Sequence, residues 1–230
     1  MIKKLFTALA LLSCVATLMA ETPSFPNRAV VTMRGYWGMV PVGKAVQTWT
    51  MTGQNYHLEN RMSGWGYTIR YVSDGFVENN ILRPTHYAEF RGKDATPKYE
   101  SYFDWVKKTV SFGKPNEQKV SPLQGLVQDL NALPYDLAWR DGKATSYTQL
   151  STGRKLKPGP FVVMGEQEME VGDQTVKAVH LVSRLPTETV EIWLAPSLQY
   201  IPLRIKYTGS EKIELMTTKV ELNNKVVLGD

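Results

Sequence analysis

Paired carboxylates are the residues in this chain best suited to chemistry. Asp104 precedes Trp105 at the end of an aromatic run of Tyr99, Tyr102 and Phe103, and Asp129 follows Gln128 in an apolar segment. Two carboxylates at a fixed separation hydrolyse a glycosidic bond, one as acid and the other as base or nucleophile. Nearby tryptophans would stack on the sugar rings. Nothing in the sequence sets the separation of Asp104 and Asp129. Each also has a commoner fate: Asp129 as a helix cap, Asp104 in solvent or paired with Lys107 or Lys108. A structural role is therefore the first expectation for Asp104, Gln128 and Asp129.

Other chemistry is thinner. His57, His86 and His180 lie far apart in the sequence, and no two share a metal-binding spacing. Structural zinc would need cysteines, and Cys14 stands alone. We expect no metal and no cofactor. No Gly-x-Ser-x-Gly elbow offers a nucleophile. Glu166, Glu168 and Glu170 alternate along one stretch, which suits the charged face of an edge strand better than a calcium site gathering six or more oxygens. With no catalytic constellation, the expected protein is a binder.

Aromatic residues are the more suggestive material. Six tryptophans and eleven tyrosines are plentiful for 230 residues. Aromatics favour strands and can line an apolar cavity with a polar tip at its mouth. Trp65 lies between Gly64 and Gly66, so its ring is exposed or backbone passes close to it. Trp65, Trp105, Trp193 and Arg204 are the candidates for contacts at the rim of a ligand site. Burial in a core is the ordinary alternative for each ring.

The elements that must position these residues alternate with period two. Tyr56, Leu58 and Met62 face one way, and His57, Glu59 and Arg61 the other. Tyr67, Ile69 and Tyr71 repeat the pattern, as do Val176, Ala178, His180 and Val182, and Leu203, Ile205 and Tyr207. Turn formers separate the runs, at residues 53–55, 73–75, 113–116, 141–142 and 172–173. Residues 190–208 read as a hairpin with its turn at residues 196–199. The expected fold is mainly β: a curved antiparallel meander forming a half-open or closed barrel. One segment departs from it. Leu123, Leu126, Val127 and Leu130 fall at helical spacing behind an N-cap at Ser121, and Leu130, Leu133, Leu137 and Ala138 continue it. Gly125 and Pro134 oppose one unbroken helix. One or two short helices are expected within residues 121–140, packed on the sheet or at its mouth.

The ends bound the location. Lys3 and Lys4, an apolar run from residue 5 to 15 and small residues before position 21 have the layout of a secretory signal peptide. The run is shorter than the ~20 residues of a membrane span. Residues 1–20 are expected to leave, and residues 21–230 to form a single β-rich periplasmic domain with no transmembrane span. Residues 11–14 also resemble a weak lipoprotein box with Cys14 as the acylated residue. The apolar run continues past it to residue 19, where lipoproteins turn polar. The formal charge of +5 falls to +3 without Lys3 and Lys4, and no basic stripe of the kind nucleic acid requires is present.

Four stretches carry a family resemblance: Pro41-Val42-Gly43-Lys44-Ala45 with Trp49; Tyr71-Val72-Ser73-Asp74-Gly75 with Ile81-Leu82-Arg83-Pro84-Thr85-His86-Tyr87; Phe103-Asp104 with Gln128-Asp129-Leu130-Asn131-Ala132-Leu133; and Glu191-Ile192-Trp193-Leu194-Ala195-Pro196 with Ile201-Pro202-Leu203-Arg204-Ile205. In this order the chain resembles the bacterial exported family catalogued as domain of unknown function 3108. Asn131, where that family tends to have Ser, and Pro134 depart from its pattern. The resemblance implies an exported, mostly β protein with one helical insertion, and no activity. By fold analogy alone it is similar to the curved half-barrels of periplasmic lipid and lipoprotein carriers. The leading expectation is a non-catalytic envelope protein binding a lipid, acyl chain or apolar peptide segment in a β-sheet groove. The alternatives are a polysaccharide hydrolase using Asp104 and Asp129, and an interaction module that offers an edge strand to an envelope protein partner.

Overall fold

Alternating runs joined by tight turns build one long sheet. The structure is a computed structural model and describes residues 25–64 and 66–229. The N-terminal half is a meander of β1 (Arg28–Trp37), β2 (Val40–Thr52), β3 (Asn55–Gly64), β4 (Tyr67–Glu78), β5 (Ile81–Arg91), β6 (Tyr99–Asp104), β7 (Thr109–Lys114) and β8 (Glu117–Pro122). A short strand β9 (Val127–Asp129) and the helix α1 (Leu133–Trp139) follow. A second meander holds β10 (Thr145–Ser151), β11 (Leu156–Val171), β12 (Gln174–Leu185), β13 (Glu188–Ala195), β14 (Ile201–Thr208) and β15 (Lys212–Leu222). The final strand β16 (Lys225–Leu228) pairs with β15, off the main path.

The two meanders join where β1 pairs with β15, and the strand order runs from β8 at one edge to β9 at the other. All ladders are antiparallel except that between β9 and β10. The sheet does not close, so of the two expected forms it takes the half-open one. Its β9–β10 edge meets the inner face of β4–β6 through side chains instead: Ser73 donates to Asp129 (2.7 Å), Ser101 and Ser151 share a hydrogen bond (2.7 Å), and Gln128 Nε2 donates to the Leu82 carbonyl.

The expected helical segment is corrected in its first half. Residues 121 and 122 end β8, pairing with Val110 and Thr109, so Ser121 is not an N-cap. Residues 127–129 form β9 against β10. Gly125 has φ +61, and a Cβ there would lie 2.2 Å from the Thr148 hydroxyl, so the glycine lets the chain pass close to β10. Helix formation waits until Leu133, and Pro134 sits in the first turn of α1. A proline there starts a helix, since its missing N–H would have had no partner.

The helix closes one end of the curved sheet. Trp49, wholly buried, stacks between Tyr56 (ring centroids 5.1 Å apart) and Tyr135 of α1 (5.4 Å). Phe25 meets Trp49 and Trp139 edge-on. Trp139 Nε1 donates to Asn80 in the β4–β5 turn, which marks the end that α1 covers. Buried Asp136 accepts from Tyr147 and from Arg140, fixing the other side of the helix to β10. No described helix is long and apolar enough to cross a membrane.

Candidate functional site

Inward-facing residues of the two meanders do not meet everywhere. Between β2–β5 and β13–β15 they leave a cavity of about 320 Å³. Its C-terminal wall is mainly apolar, from Val190, Ile192, Ile205, Ile213 and Leu215, with Tyr207 beside them. The N-terminal wall mixes Met62, Tyr71 and Tyr87 with Gln47, Asn60 and Glu89. Leu130, Asn131, Leu133 and Pro134 close its base. Met62, Ile213 and Leu215 also line a second cavity of about 470 Å³, which is bordered by Tyr36, Trp37, Val42, Tyr67 and Ile69. The two form one groove that runs from the α1 plug to the opposite end of the sheet.

Polar groups in the groove are few. Glu89 is nearly buried and accepts from Arg91 Nε at 2.5 Å. Burial, and then the charge of Glu89, push the Tyr71 phenol up to about 12. Tyr135 donates to Gln47. Asn60 Oδ1 has no hydrogen-bond partner among the described residues. The arrangement can hold an elongated apolar group. A carboxylate deep in the groove would meet Glu89.

Gln128 and Asp129 lie behind the base of this groove, both with no exposed surface. Asp129 Oδ1 accepts from Ser73 (2.7 Å) and from the Ala132 N–H (2.8 Å), while Oδ2 finds no partner among the described residues. Burial pushes its carboxyl up to about 7, against the hydrogen bonds from Ala132 and Ser73 that pull it down. Gln128 Oε1 accepts from the Asp129 N–H. These contacts tie β9 to β4 and β5 and so hold the α1 plug in place.

Asp104 is elsewhere. It caps the exposed β6–β7 turn, where the Lys107 N–H donates to it at 2.8 Å and the Lys107 ammonium lies at 3.1 Å. The backbone hydrogen bond and then that ammonium hold its carboxyl below the usual range. Asp104 thus stands in solvent and Asp129 in the interior, and neither lines the groove. The pair needed for glycoside hydrolysis is not assembled.

The other candidates also scatter. Trp193 lies on the opposite face from Ile192, sandwiched between His180 (4.2 Å, rings nearly parallel) and the Arg204 guanidinium (4.6 Å). Its Nε1 donates to Gln167 at 2.7 Å, and only 3 % of its surface is exposed. Arg204 pairs with Glu214. Trp105, in the same turn as Asp104, donates to the Pro84 carbonyl and stacks on Arg83 (4.4 Å). None of the three borders the groove. Trp65, like residues 1–20 and Cys14, lies outside the described residues. Two of the histidines that are distant in sequence do meet: His57 Nδ1 is 2.7 Å and His86 Nδ1 3.6 Å from Asp74, on the outer face. Among the described residues no three His, Cys, Asp or Glu side chains could hold a metal ion. Glu166, Glu168 and Glu170 are exposed on β11 beyond Phe161, where its ladder to β10 has ended and one edge has no strand partner among the described residues.

The groove-lining Gln47, Asn60, Ile192, Ile205 and Ile213 were not among the site residues the sequence pointed to. Alternation marks them as inward-facing, but an inward side chain fills a core or lines a cavity depending on curvature. One overlooked signal was legible: Trp37-Gly38-Met39-Val40 puts three apolar residues in and around a turn, where polar residues are usual.

Among proteins of curated function none matches the chain. A family model does, over residues 32–216, from β1 into β15, and takes in both walls of the groove, the β9 joint and the helix. The chain belongs to the family described as protein of unknown function, DUF3108.

Proposed function

We propose that this protein is a non-catalytic binder of an apolar ligand in the cell envelope, exported by residues 1–20 and acting in the periplasm. The single observation that supports it most is the continuous groove, lined mainly by apolar side chains along its C-terminal wall and covered at one end by α1. Its size falls in the range of pockets that enclose small ligands, about 300–1,000 Å³. The preferred ligand is an acyl chain of a lipid, tail inward. Glu89 turns away an acidic head group, which stays at the mouth. Burying about ten methylenes at ~0.8 kcal/mol each gives roughly micromolar affinity. An apolar peptide segment would use the same wall.

The hydrolase reading finds no support in the positions of Asp104 and Asp129. The edge-strand reading finds the free edge of β11 carrying three glutamates, which discourages pairing.

The mature protein, purified from the periplasm, should release a lipid or fatty acyl species on organic extraction and show its mass in native mass spectrometry. Stripped protein should bind the fluorescent fatty acid cis-parinaric acid saturably. Ile213→Trp places a ring at the neck shared by the two cavities and should weaken that binding by at least about tenfold, the loss of roughly two buried methylenes. No co-purifying ligand, together with unsaturable probe binding that Ile213→Trp leaves unchanged, would sink the groove reading.

A further inference from the structure

We propose that the open end of the groove is a docking surface for an anionic lipid bilayer. Strand direction places the turns at residues 38–39, 92–98, 152–155 and 209–211 together at this end, away from the α1 plug. The first of these turns is apolar and solvent-facing: Met39 is 95 % exposed, with Trp37 (56 %) and Val40 (54 %) beside it and Tyr67 (49 %) at the start of β4. Trp37 and Tyr67 border the groove itself. A large apolar side chain almost wholly in water, flanked by Trp and Tyr, has the composition of a membrane interface, where amphipathic rings sit at head-group depth.

Charge selects the partner. Lys44, Lys93, Lys98, Arg154, Lys155 and Lys212 stand at this end without an ion-pair partner among the described residues. Asp94 and Glu211 are the acids in the same turns, and Glu100, near the start of β6, is the other acid at this end without an ion-pair partner among the described residues. Lys114 and Glu117 neutralise each other, as do Lys157 and Glu188. The excess of free cations around an apolar tip complements anionic head groups, each cation near such a surface adding about 1 kcal/mol. The chain as a whole is only mildly basic, so the concentration of free cations at one end is a property of the fold. Docked this way, the groove opens directly into the acyl layer, with the plugged end facing water. That consequence rests on the groove reading. The docking itself rests on the exposed tip and its charge.

The test is co-sedimentation of the mature protein with vesicles of phosphatidylglycerol and phosphatidylcholine, and with vesicles of phosphatidylcholine alone. The mixed vesicles should bind the protein, the neutral ones far more weakly, and added salt should release it. Met39→Glu and the double variant Lys93→Gln/Lys155→Gln should each fold normally. The double variant should lose about thirtyfold in vesicle affinity, and both should bind cis-parinaric acid as the unaltered protein does. Absence of binding to the mixed vesicles overturns the proposal, as does equal binding to both vesicle types that neither variant alters. Vesicle binding without fatty-acid binding would leave the docking surface standing and remove the groove reading. Fatty-acid binding without vesicle binding would do the reverse.

Discussion

Between pH 4 and pH 8 the stability of the unaltered protein is expected to fall by about 4 kcal/mol relative to an Asp129→Asn variant. The cause is the buried carboxyl behind the groove. Its folded-state value of about 7 stands above the ordinary 3.8, because burial penalises the charged form. Between those two values the folded protein holds a proton that the unfolded chain has lost. The stabilisation is therefore complete below the unfolded value and is lost as pH rises through about 7. Asparagine preserves the Oδ1 acceptor for Ser73 and the Ala132 N–H, and it replaces only Oδ2, which has no partner among the described residues. It carries no charge to bury at any pH. The variant should match the unaltered protein near pH 4 and exceed it near pH 8. Asp129→Ala should behave differently. It strips the acceptor from Ser73 and from the helix-leading N–H, at a cost of about 3 kcal/mol even at low pH. Urea unfolding at the two pH values reads all three proteins. A stability that changes with pH alike in the unaltered protein and Asp129→Asn would show that Asp129 titrates at its ordinary value. Hydrogen exchange adds a local readout: relative to the base-catalysed intrinsic rate, the protection of residues 127–139 should fall between pH 4 and pH 8, because this joint holds β9 and α1 against β4.

Removing Trp49 should cost about 4 kcal/mol. The indole has no exposed surface, stacks on Tyr56 and Tyr135, and donates from Nε1 to the Pro26 carbonyl at 3.1 Å. Truncation to alanine opens a cavity at the point where β2, β3 and the plug converge, and leaves that carbonyl without its donor. Trp49→Phe keeps a stacked ring and loses the hydrogen bond, so it should retain most of the stability. Denaturant midpoints with an unchanged slope would confirm that the difference lies in packing. An alanine variant within 1 kcal/mol of the unaltered protein would mean that the plug collapses into the space, an outcome the close stacking on both faces of the ring argues against.

Local pattern carried most of the fold. Alternation depends only on neighbouring residues, so the runs at Tyr56, Tyr67, Val176 and Leu203 lie on strands, and the hairpin of residues 190–208 turns at Pro196–Leu198. The same local reading misassigned residues 123–130. Short apolar runs fit both periods, and the choice was made by a distant strand, β10, that offered a parallel partner. Gln128 and Asp129 were legible as structural polar residues, but Ser73, the partner of Asp129 across 56 positions, was not.

The groove shows the boundary most sharply. Ile192 and Trp193 are adjacent and both apolar, and alternation assigns them to opposite faces without saying which face is concave. The sense of curvature is set by twist accumulated over many strands and by the α1 plug, and no single run contains it. Trp193 therefore lies stacked between His180 and Arg204 on one face, while Ile192 lines the cavity on the other. Residue type and spacing were enough for most strands and turns and for the class of the fold, because those follow from side chains within a few positions of one another; residues 73–75, expected to turn, instead run inside β4 and pair with β5. The groove, the buried carboxyl and the cationic apolar tip needed the tertiary structure, because each arises where segments far apart in the chain are brought to one place.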